Sequence, residues 1–283
     1  MRPVERFAPS PTGLLHLGHA FSALMGFDAA RAEGGVFRLR IEDLDAGRAR
    51  PDFEAAIFED LRWLGLSWPE PVMRQSARGA AYEAALARLG AMGLVYPCSC
   101  TRADIAAAGG APQEGAEAGP PYPGTCRPRT GGRAAPGAAH ALRLDMAAAA
   151  ARAGALTFRE IGAGPAGETG EIAVAPEAHG DVVLRRKDGA AAYHLAVVVD
   201  DAAEGVTHVT RGEDLFAATS VHRLLQALLG LAAPIYRHHR LIRDKTGRRL
   251  AKRADDVSLA ALRSAGWSPE DVRRAVGLVR AGP

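Results

Sequence analysis

Two histidines near the start of the chain have the types and spacing of a phosphate site. His16 and His19 flank Leu17-Gly18, and they follow the run RFAPSPTG at 6–13. Imidazoles can donate hydrogen bonds to phosphate oxygens, and a glycine lets a base or a ribose approach the backbone. A helix N-terminus also favours anions. The motif is weak alone, but its position directly after a first strand indicates a nucleoside triphosphate site.

A second group of reactive side chains is formed by the three cysteines and one tyrosine. Cys98-Ser99-Cys100 is followed by Tyr122-Pro123-Gly124-Thr125-Cys126. Three thiolates with a fourth ligand nearby suit tetrahedral zinc. The C-x-C spacing is tighter than the usual C-x2-C, so spacing alone favours zinc and three free thiols equally.

The elements around the histidine motif predict an α/β fold with a parallel sheet. Val4–Ala8 and Val36–Ile41 are strand candidates, a helix begins at about Leu17, and Pro51 opens another helix. Strands that alternate with helices in this way favour a parallel sheet. Ligands gather beyond the carboxyl ends of such strands, where both the RFAPSPTG turn and the acidic run at 42–45 lie.

The second half is predicted from shorter patterns. The apolar run Leu195–Val199 is the best candidate for a buried strand, with Asp200-Asp201 at its end. Ala103–Pro121 is rich in Ala, Gly and Pro and predicts a loose insert. The remaining elements are strands at His140–Asp145, Val182–Arg186 and Val206–Thr210, a helix from about Ser220, and two short helices around Pro269.

Composition and charge allow an anionic partner and argue against secretion. The formal net charge is +3 and the sequence pI is about 8.9, which permits ATP or RNA without proving either. Three cysteines, an odd number within one region, argue against a disulfide framework and for a reducing compartment. We see no signal-peptide core and no membrane-length apolar stretch, and therefore expect a cytoplasmic protein.

The motifs together resemble class I aminoacyl-tRNA synthetases of the glutamyl type. His16–His19 resembles the HIGH signature of that family and is preceded, as in the family, by RFAPSPTG. Three further segments resemble family motifs, and a fourth, Arg249–Arg253, occupies the place of the KMSKS loop. The three segments are RIEDLD at 40–45, YHLAVVVDD at 193–201 and HVTRGEDL at 208–215.

The resemblance implies a glutamate pocket. Arg6 and Arg211 would each pair with a carboxylate through two bonds, Glu42 would pair with the ammonium group, and Tyr193 would supply a hydroxyl and a wall. The pocket would be completed by Phe7, Ala8, Pro9 and Ser10. An arginine clamp would reject glutamine, because the neutral amide leaves a buried guanidinium unpaired.

The resemblance also implies ATP as a substrate, accompanied by Mg²⁺. His16, His19 and Lys252 would be the catalytic residues, since activation requires positioning and charge neutralisation rather than a protein nucleophile. The residues expected to bind ATP are Pro9, His16, Gly18, His19 and Lys252. Ala251 and Arg253 replace the serines of KMSKS, whereas Arg249 keeps the positive charge of its first position.

Within this family, this chain resembles one small branch, the glutamyl-Q tRNA(Asp) synthetase group, in its C-x-C…Y-x3-C pattern. That resemblance implies one structural zinc ion held by Cys98, Cys100, Tyr122 and Cys126. The branch lacks the anticodon-binding domain, and after Lys252 this chain is too short for one. We therefore expect tRNA-independent glutamate activation and transfer to the queuosine base of tRNA(Asp), whose anticodon arm would dock on a monomer.

These implications define the fold that we expect and leave alternatives. The fold is a Rossmann-type catalytic core with an inserted, zinc-containing, acceptor-stem-like subdomain and a short helical C-terminus. The core would comprise 1–95 and 185–245, the insert 96–184, and the KMSKS-like loop with the C-terminal helices 246–283. The alternatives are a compact enzyme that charges tRNA(Glu), a different HIGH-type nucleotidyltransferase, and a non-catalytic paralogue that binds tRNA or glutamate.

Overall fold

A computed structural model of the chain describes residues 2–101, 103–105, 122–128, 135, 137, 139–243 and 257–278. The strands within these residues are β1 Val4–Phe7, β2 Val36–Ile41, β3 Met73–Arg74, β4 Val95–Cys98, β5 Ala141–Leu144, β6 Thr157–Glu160, β7 Gly170–Ala173, β8 Val183–Arg185, β9 His208–Gly212 and β10 Ile235–His239. The helices of six or more residues are α1 Leu17–Ala32, α2 Pro51–Trp63, α3 Gly79–Ala91, α4 Met146–Ala153, α5 Tyr193–Ala203, α6 Ala218–Leu229, α7 Leu259–Ser264 and α8 Pro269–Ala275.

Two groups of parallel strands meet at β1 and β9. β1, β2 and β3 are parallel in that order, and β9, β10 and β6 are parallel on the other side, with β7 antiparallel at the edge. Between the groups, the Thr207 N–H donates to the Val4 carbonyl at 3.0 Å. The connections run outward in opposite directions from β1 and β9, which creates the switch point where ligands bind in open α/β sheets.

Close packing behind β1 depends on a glycine. A Cβ on Gly35 would lie 2.2 Å from the carbonyl oxygen of Pro3, so a larger residue there would separate β1 from β2. The first helix packs its buried face on β1 and β2, and the rings of Phe27 in the helix and Phe37 in β2 meet edge to face with centroids 5.4 Å apart. The parallel α/β order predicted for the N-terminal half is therefore confirmed.

The prediction of a buried strand at Leu195–Val199 is wrong, because these residues lie inside α5. Leu195, Ala196, Val197 and Val198 are all buried, since this helix packs between other helices in the core. A short run of apolar residues cannot distinguish a strand from a helix that is buried on several sides. Asp200 and Asp201 therefore belong to the helix and do not end a strand.

The other predicted elements of the second half are confirmed to within a few residues. The strands near 140, 183 and 208 are β5, β8 and β9, and the helix predicted from Ser220 begins at Ala218. None of the described helices is long and apolar enough to cross a bilayer. Most of the predicted insert Ala103–Pro121 and the whole loop Arg249–Arg253 lie outside the described residues.

The predicted division into domains remains a prediction, and one pairing bears on it. The antiparallel sheet β4-β5-β8 falls largely within the predicted insert 96–184. The strands β6 and β7 belong to the same range of sequence, yet β6 pairs with β10 beside the switch point. Any boundary drawn around the insert must therefore let the chain return to the central strands near residue 160.

Candidate active site

A cavity of about 790 Å³ opens beyond the carboxyl ends of β1, β2, β9 and β10. Eleven of the residues predicted for ATP or glutamate line it: Arg6, Phe7, Ala8, Pro9, Ser10, His16, Gly18, His19, Glu42, Tyr193 and Arg211. Lys252, the twelfth, lies outside the described residues. Ser22, Asp214 and His239 also line the cavity and were not predicted. Two further cavities of about 400 Å³ contain none of these side chains.

The two signature histidines form the N-terminal cap of α1. His16 precedes the helix, and its Nδ1 accepts the Gly18 N–H at 3.1 Å. In return, the His16 N–H donates to Nδ1 of His19 at 3.2 Å. The two rings lie with centroids 3.8 Å apart. Because each Nδ1 accepts a backbone N–H, a neutral ring at either position carries its proton on Nε2, which can donate to a phosphate oxygen.

Gly18 has a second reason to be glycine besides the approach of a nucleotide. A Cβ at this position would lie 3.0 Å from Cε1 of His16 and 3.1 Å from its Nδ1. Any side chain would thus press on the ring whose Nδ1 caps the helix. The sequence suggested only the closeness of a ligand, whereas the structure shows that the glycine also protects the histidine geometry.

One wall of the cavity is backed by a buried cluster of charges around Arg40. Its Nη1 donates to Asp201 at 2.7 Å and to Glu204 at 2.9 Å, and its Nη2 donates to Glu42 at 3.2 Å. Arg6 joins the cluster through Nε, which donates to the same oxygen of Asp201 at 3.2 Å. Two guanidinium groups are therefore balanced by three carboxylates.

Burial and charge compete in this cluster. Burial alone would raise the pKa of Asp201, but Arg6 and Arg40 outweigh it and hold that pKa below its usual value. For Glu42, burial dominates and raises the pKa, although Arg40 and Arg6 oppose it. A cation placed beside Glu42, such as a substrate ammonium group, would favour its charged form.

Arg211, on the other side of the cavity, has neutral partners. Its Nε donates to Nε2 of His238 at 3.1 Å, and its Nη1 lies 3.2 Å from Nδ1 of His222. Its Nη2 donates to Oγ1 of Thr219 at 2.7 Å and to the carbonyl of Leu215 at 3.2 Å. These bonds use four of the five N–H hydrogens of the guanidinium. A two-bond pair with a substrate carboxylate would displace one of them, whereas a single bond from Nη1 would displace none.

The charges and donors fix the tautomers of these histidines. Since Arg211 can only donate, Nε2 of His238 and Nδ1 of His222 must both accept. His238 then carries its proton on Nδ1, which lies 2.5 Å from the carboxylate of Glu160. His222 carries its proton on Nε2, which lies 3.1 Å from Nδ1 of His194. A defined chain of hydrogen bonds thus runs behind Arg211.

Burial keeps the three histidines behind Arg211 neutral. It lowers the pKa of His222 well below the ordinary value, and the charge of Arg211 lowers it further. Burial also lowers the pKa of His238, despite the opposing bond to Glu160. The pKa of His194 falls from 6.5 to about 4 for the same reason. A neutral imidazole can act as an acceptor for Arg211, whereas an imidazolium cannot.

Sequence reasoning missed these supporting residues because they lie far from the motifs along the chain. Asp201 is separated from Arg6 by 195 residues, and Glu160 is separated from His238 by 78. A signal existed for Asp201, because an acidic residue next to an apolar run predicts a buried, paired carboxylate once the run is taken as a helix. Nothing local in the sequence distinguishes His222 or His238 from surface histidines.

The three cysteines and Tyr122 converge at a second site. The cysteine sulfurs lie within 4.8 Å of one another, and Cys100 and Cys126 are 3.5 Å apart. The Tyr122 Oη lies 3.4 Å from Cys98 Sγ and 3.6 Å from Cys100 Sγ. A tetrahedral ion with bonds of about 2.3 Å to sulfur and about 2.0 Å to oxygen places its ligand atoms roughly 3.5–3.8 Å apart. This donor set therefore fits a metal ion.

The switch-point cavity and the capped histidine motif define the class of protein. Residues 4–282 match the family model described as tRNA synthetases class I (E and Q), catalytic domain. The chain belongs to this family, and it is a ligase of the aminoacyl-tRNA synthetase type. ATP, an amino acid and tRNA are the partners that the family implies.

Individual relatives indicate which members of this family the chain resembles. A protein of Rhodobacter capsulatus named glutamyl-Q tRNA(Asp) synthetase is 55% identical over 285 residues, which cover 97% of this chain and all of that protein. One of the same name from Symbiobacterium thermophilum is 45% identical, over 94% of this chain and 83% of that protein. The solved glutamate tRNA ligase of Elizabethkingia meningosepticum in complex with its amino acid gives a TM-score of 0.74 at 27% identity, over 95% of this chain and 59% of that chain. This chain thus spans about three fifths of the solved ligase.

Proposed function

We propose that the protein activates L-glutamate with ATP, without needing tRNA, and transfers the glutamyl group to the queuosine base at the wobble position of tRNA(Asp). The observation that carries this proposal is the 55% identity, over the full length of the relative, to a protein named glutamyl-Q tRNA(Asp) synthetase. A lining that contains all eight residues expected around glutamate supports the first step.

In the activation step, the glutamate α-carboxylate attacks the α-phosphorus of ATP and pyrophosphate leaves. The Nε2–H groups of His16 and His19 would donate to phosphate oxygens as negative charge moves toward the leaving group. Lys252 is proposed as a further phosphate ligand. Mg²⁺ bound with ATP would neutralise phosphate charge. No protein nucleophile is required, so these residues act by positioning and charge.

The charges of the cavity suit the two ends of glutamate. The cluster around Arg40 has three carboxylates for two guanidinium groups, so its Glu42 edge is the proposed site for the substrate ammonium. Arg6 and Arg211 are the proposed partners of the carboxylates, and Tyr193 is the proposed wall. Glutamine would leave one buried guanidinium without an anionic partner, which explains how the site would reject it.

For the cysteine site, we propose one structural zinc ion held by Cys98, Cys100, Cys126 and Tyr122. Three sulfur ligands favour zinc over hard cations such as Mg²⁺. All four residues are buried or half-buried, and the guanidinium of Arg143 lies 3.8 Å from the centre of the Tyr122 ring, where it would stabilise negative charge on the phenol oxygen. A chelator strong enough to remove zinc should lower the midpoint of thermal unfolding.

In the transfer step, a hydroxyl of the queuosine cyclopentenediol attacks the activated carbonyl carbon and AMP leaves. This step requires the anticodon arm of cytoplasmic tRNA(Asp) to dock at the mouth of the cavity. The alternative within the same chemistry is charging of tRNA(Glu) at its 3′ end, for which the solved relative named glutamate tRNA ligase is the precedent. A non-catalytic binding protein would need neither the histidine cap nor Lys252.

The deciding experiment is transfer of labelled glutamate to three purified tRNAs: tRNA(Asp) with queuosine, tRNA(Asp) with guanosine at the wobble position, and tRNA(Glu). We expect label only on the first, and glutamate-dependent pyrophosphate–ATP exchange without any tRNA. Label on the 3′ end of tRNA(Glu) would make the protein a compact conventional synthetase. Absence of both transfer and exchange would leave the binding paralogue.

A further inference from the structure

The partners of Arg211 are unusual for a guanidinium that is only 5% exposed. None of the ion pairs among the described residues includes Arg211, and the two rings that form hydrogen bonds with it are imidazoles. We propose that His222 and His238 are positioning residues that aim Arg211 at a substrate carboxylate through opposite ring nitrogens, without cancelling its charge. This inference deepens the proposed function and rests on it.

The two histidines fix different parts of the same guanidinium plane. Nε2 of His238 accepts a hydrogen bond from Nε of Arg211, and Nδ1 of His222 accepts one from Nη1 of Arg211. Bonds at two corners of a planar fork remove its rotation about the last side-chain torsions. A carboxylate at either position would hold the guanidinium as well, but its negative charge would weaken the attraction of the guanidinium for an anionic substrate.

Glu160 sets the tautomer of His238 from behind. Its Oε1 accepts two backbone N–H groups, from Gly162 at 2.7 Å and from His238 at 2.9 Å. Its Oε2 faces Nδ1 of His238 at 2.5 Å. The carboxylate is buried and its pKa is lowered, since the bonds to His238 outweigh the effect of burial. The proton of His238 is therefore held on Nδ1, away from Arg211.

His222 accepts through Nδ1 and His238 through Nε2, so asparagine and glutamine should have opposite effects at the two positions. The amide oxygen of asparagine can replace Nδ1, and that of glutamine, one methylene longer, can replace Nε2. We expect His222→Asn and His238→Gln to keep KM for glutamate within about 3-fold of the wild-type value. His222→Gln and His238→Asn should raise KM about 10-fold, the equivalent of about 1.4 kcal/mol, with a smaller change in kcat.

A role in packing alone predicts a different result. Asparagine and glutamine would then rank in the same order at both positions, according to size, and that outcome would overturn the proposal. The measurement is glutamate-dependent pyrophosphate–ATP exchange, with thermal unfolding used to confirm that each variant is folded. His238→Gln should lower the unfolding midpoint, because Glu160 loses a donor, even though its KM is preserved.

A second measurement uses the unaltered protein and does not depend on the variants. Two-bond ¹H–¹⁵N spectra of histidine-labelled protein distinguish the tautomers of a neutral imidazole. We expect the proton on Nε2 in His222 and on Nδ1 in His238. Equal tautomers, or an imidazolium at either position at neutral pH, would overturn the proposal. Wild-type protein that shows no glutamate-dependent exchange would instead defeat the proposed function, and the spectra would still decide the arrangement of the histidines.

Discussion

The cavity has two arginine-bearing sides that solve the problem of a buried guanidinium in opposite ways. Arg6 and Arg40 are held by the carboxylates of Asp201, Glu42 and Glu204. Arg211 is held by imidazoles, a hydroxyl and a carbonyl. In the first arrangement, three carboxylates surround two guanidinium groups, so negative charges outnumber positive charges. In the second, no carboxylate pairs directly with the guanidinium, which lines the cavity.

The contrast shows that neutralisation and orientation are separate tasks. A carboxylate performs both, because the negative charge that orients a guanidinium also reduces the positive field that would act on a ligand. A neutral imidazole orients only. We therefore expect changes on the carboxylate side to act first on stability and changes on the imidazole side to act first on glutamate binding.

The largest effect should follow Asp201→Asn on the carboxylate side. The variant removes a buried negative charge shared by Arg6 and Arg40, and loss of one partner from a buried pair costs about 3–5 kcal/mol in the free energy of unfolding. The measurement is the free energy of unfolding in urea. Asp45→Asn, which removes an exposed pair with Arg48, is the matched control and should change nothing measurable. An Asp201→Asn protein as stable as the wild type would contradict the structural role of this side.

Arg211→Gln should instead act mainly on catalysis. We expect kcat/KM for glutamate in the exchange reaction to fall about 100-fold, equivalent to about 2.7 kcal/mol, because the charge that attracts the carboxylate is gone. Stability should change less than in Asp201→Asn, since no carboxylate loses its partner.

The same substitution at Arg223 provides the control for Arg211→Gln. Arg223 lies outside the cavity and donates to the carbonyl of Thr157 at 3.0 Å. Its variant should keep the wild-type kcat/KM. Similar losses in the two variants would show that the effect does not come from the glutamate site.

Glu160→Gln should produce an intermediate effect through a change of tautomer. Two backbone N–H groups hold the amide oxygen at the Oε1 position, so the amide nitrogen faces Nδ1 of His238 and donates to it. The proton of His238 then moves to Nε2, directly against the Nε–H of Arg211. We expect KM for glutamate to rise about 10-fold, or about 1.4 kcal/mol. Glu171→Gln, on the exposed edge strand, should leave KM unchanged.

The smallest expected effect is a pH dependence of stability on the imidazole side. Burial lowers the pKa of His194 to about 4, from 6.5 in the unfolded chain. The unfolded chain therefore takes up this proton first, and the stabilisation is complete above about pH 6.5 and is lost as pH falls toward 4. Between pH 6.5 and 5.5, the wild type should lose about 1 kcal/mol more than His194→Gln does. Parallel pH profiles would refute this assignment.

The sequence motifs contain most of the polar residues that line the cavity, but not the residues that support them from behind. Arg6, His16, Glu42 and Arg211 belong to short segments whose order along the chain matches known motifs, so local reading places them. The residues behind them are brought there by the order of strands in the sheet. No local pattern predicts the pairing of β10 with β6, which places Glu160 beside His238.

The helix mistaken for a strand shows the physical limit of pattern reading. In α5, Val197 and Val198 are buried and neighbouring positions are also enclosed, so the run has neither the alternation of a half-buried strand nor a polar stripe. Helical geometry also explains the use of adjacent acids, which point about 100° apart. Asp201 reaches Arg40, whereas Asp200 accepts from Tyr82 and Gln75. A strand would have sent them to opposite faces.

The cap formed by His16 and His19 means that the first turn of α1 also orients the two rings proposed to bind the nucleotide. Fraying of the first helical turn breaks the bonds to both Nδ1 atoms and so releases the rings that would face the phosphates. Local opening and nucleotide binding are then competing equilibria. We expect a non-hydrolysable ATP analogue to slow amide hydrogen exchange at Gly18 and His19 more than at the end of the same helix near Arg31. The rate at which this one turn closes would set how quickly an empty enzyme becomes competent to bind.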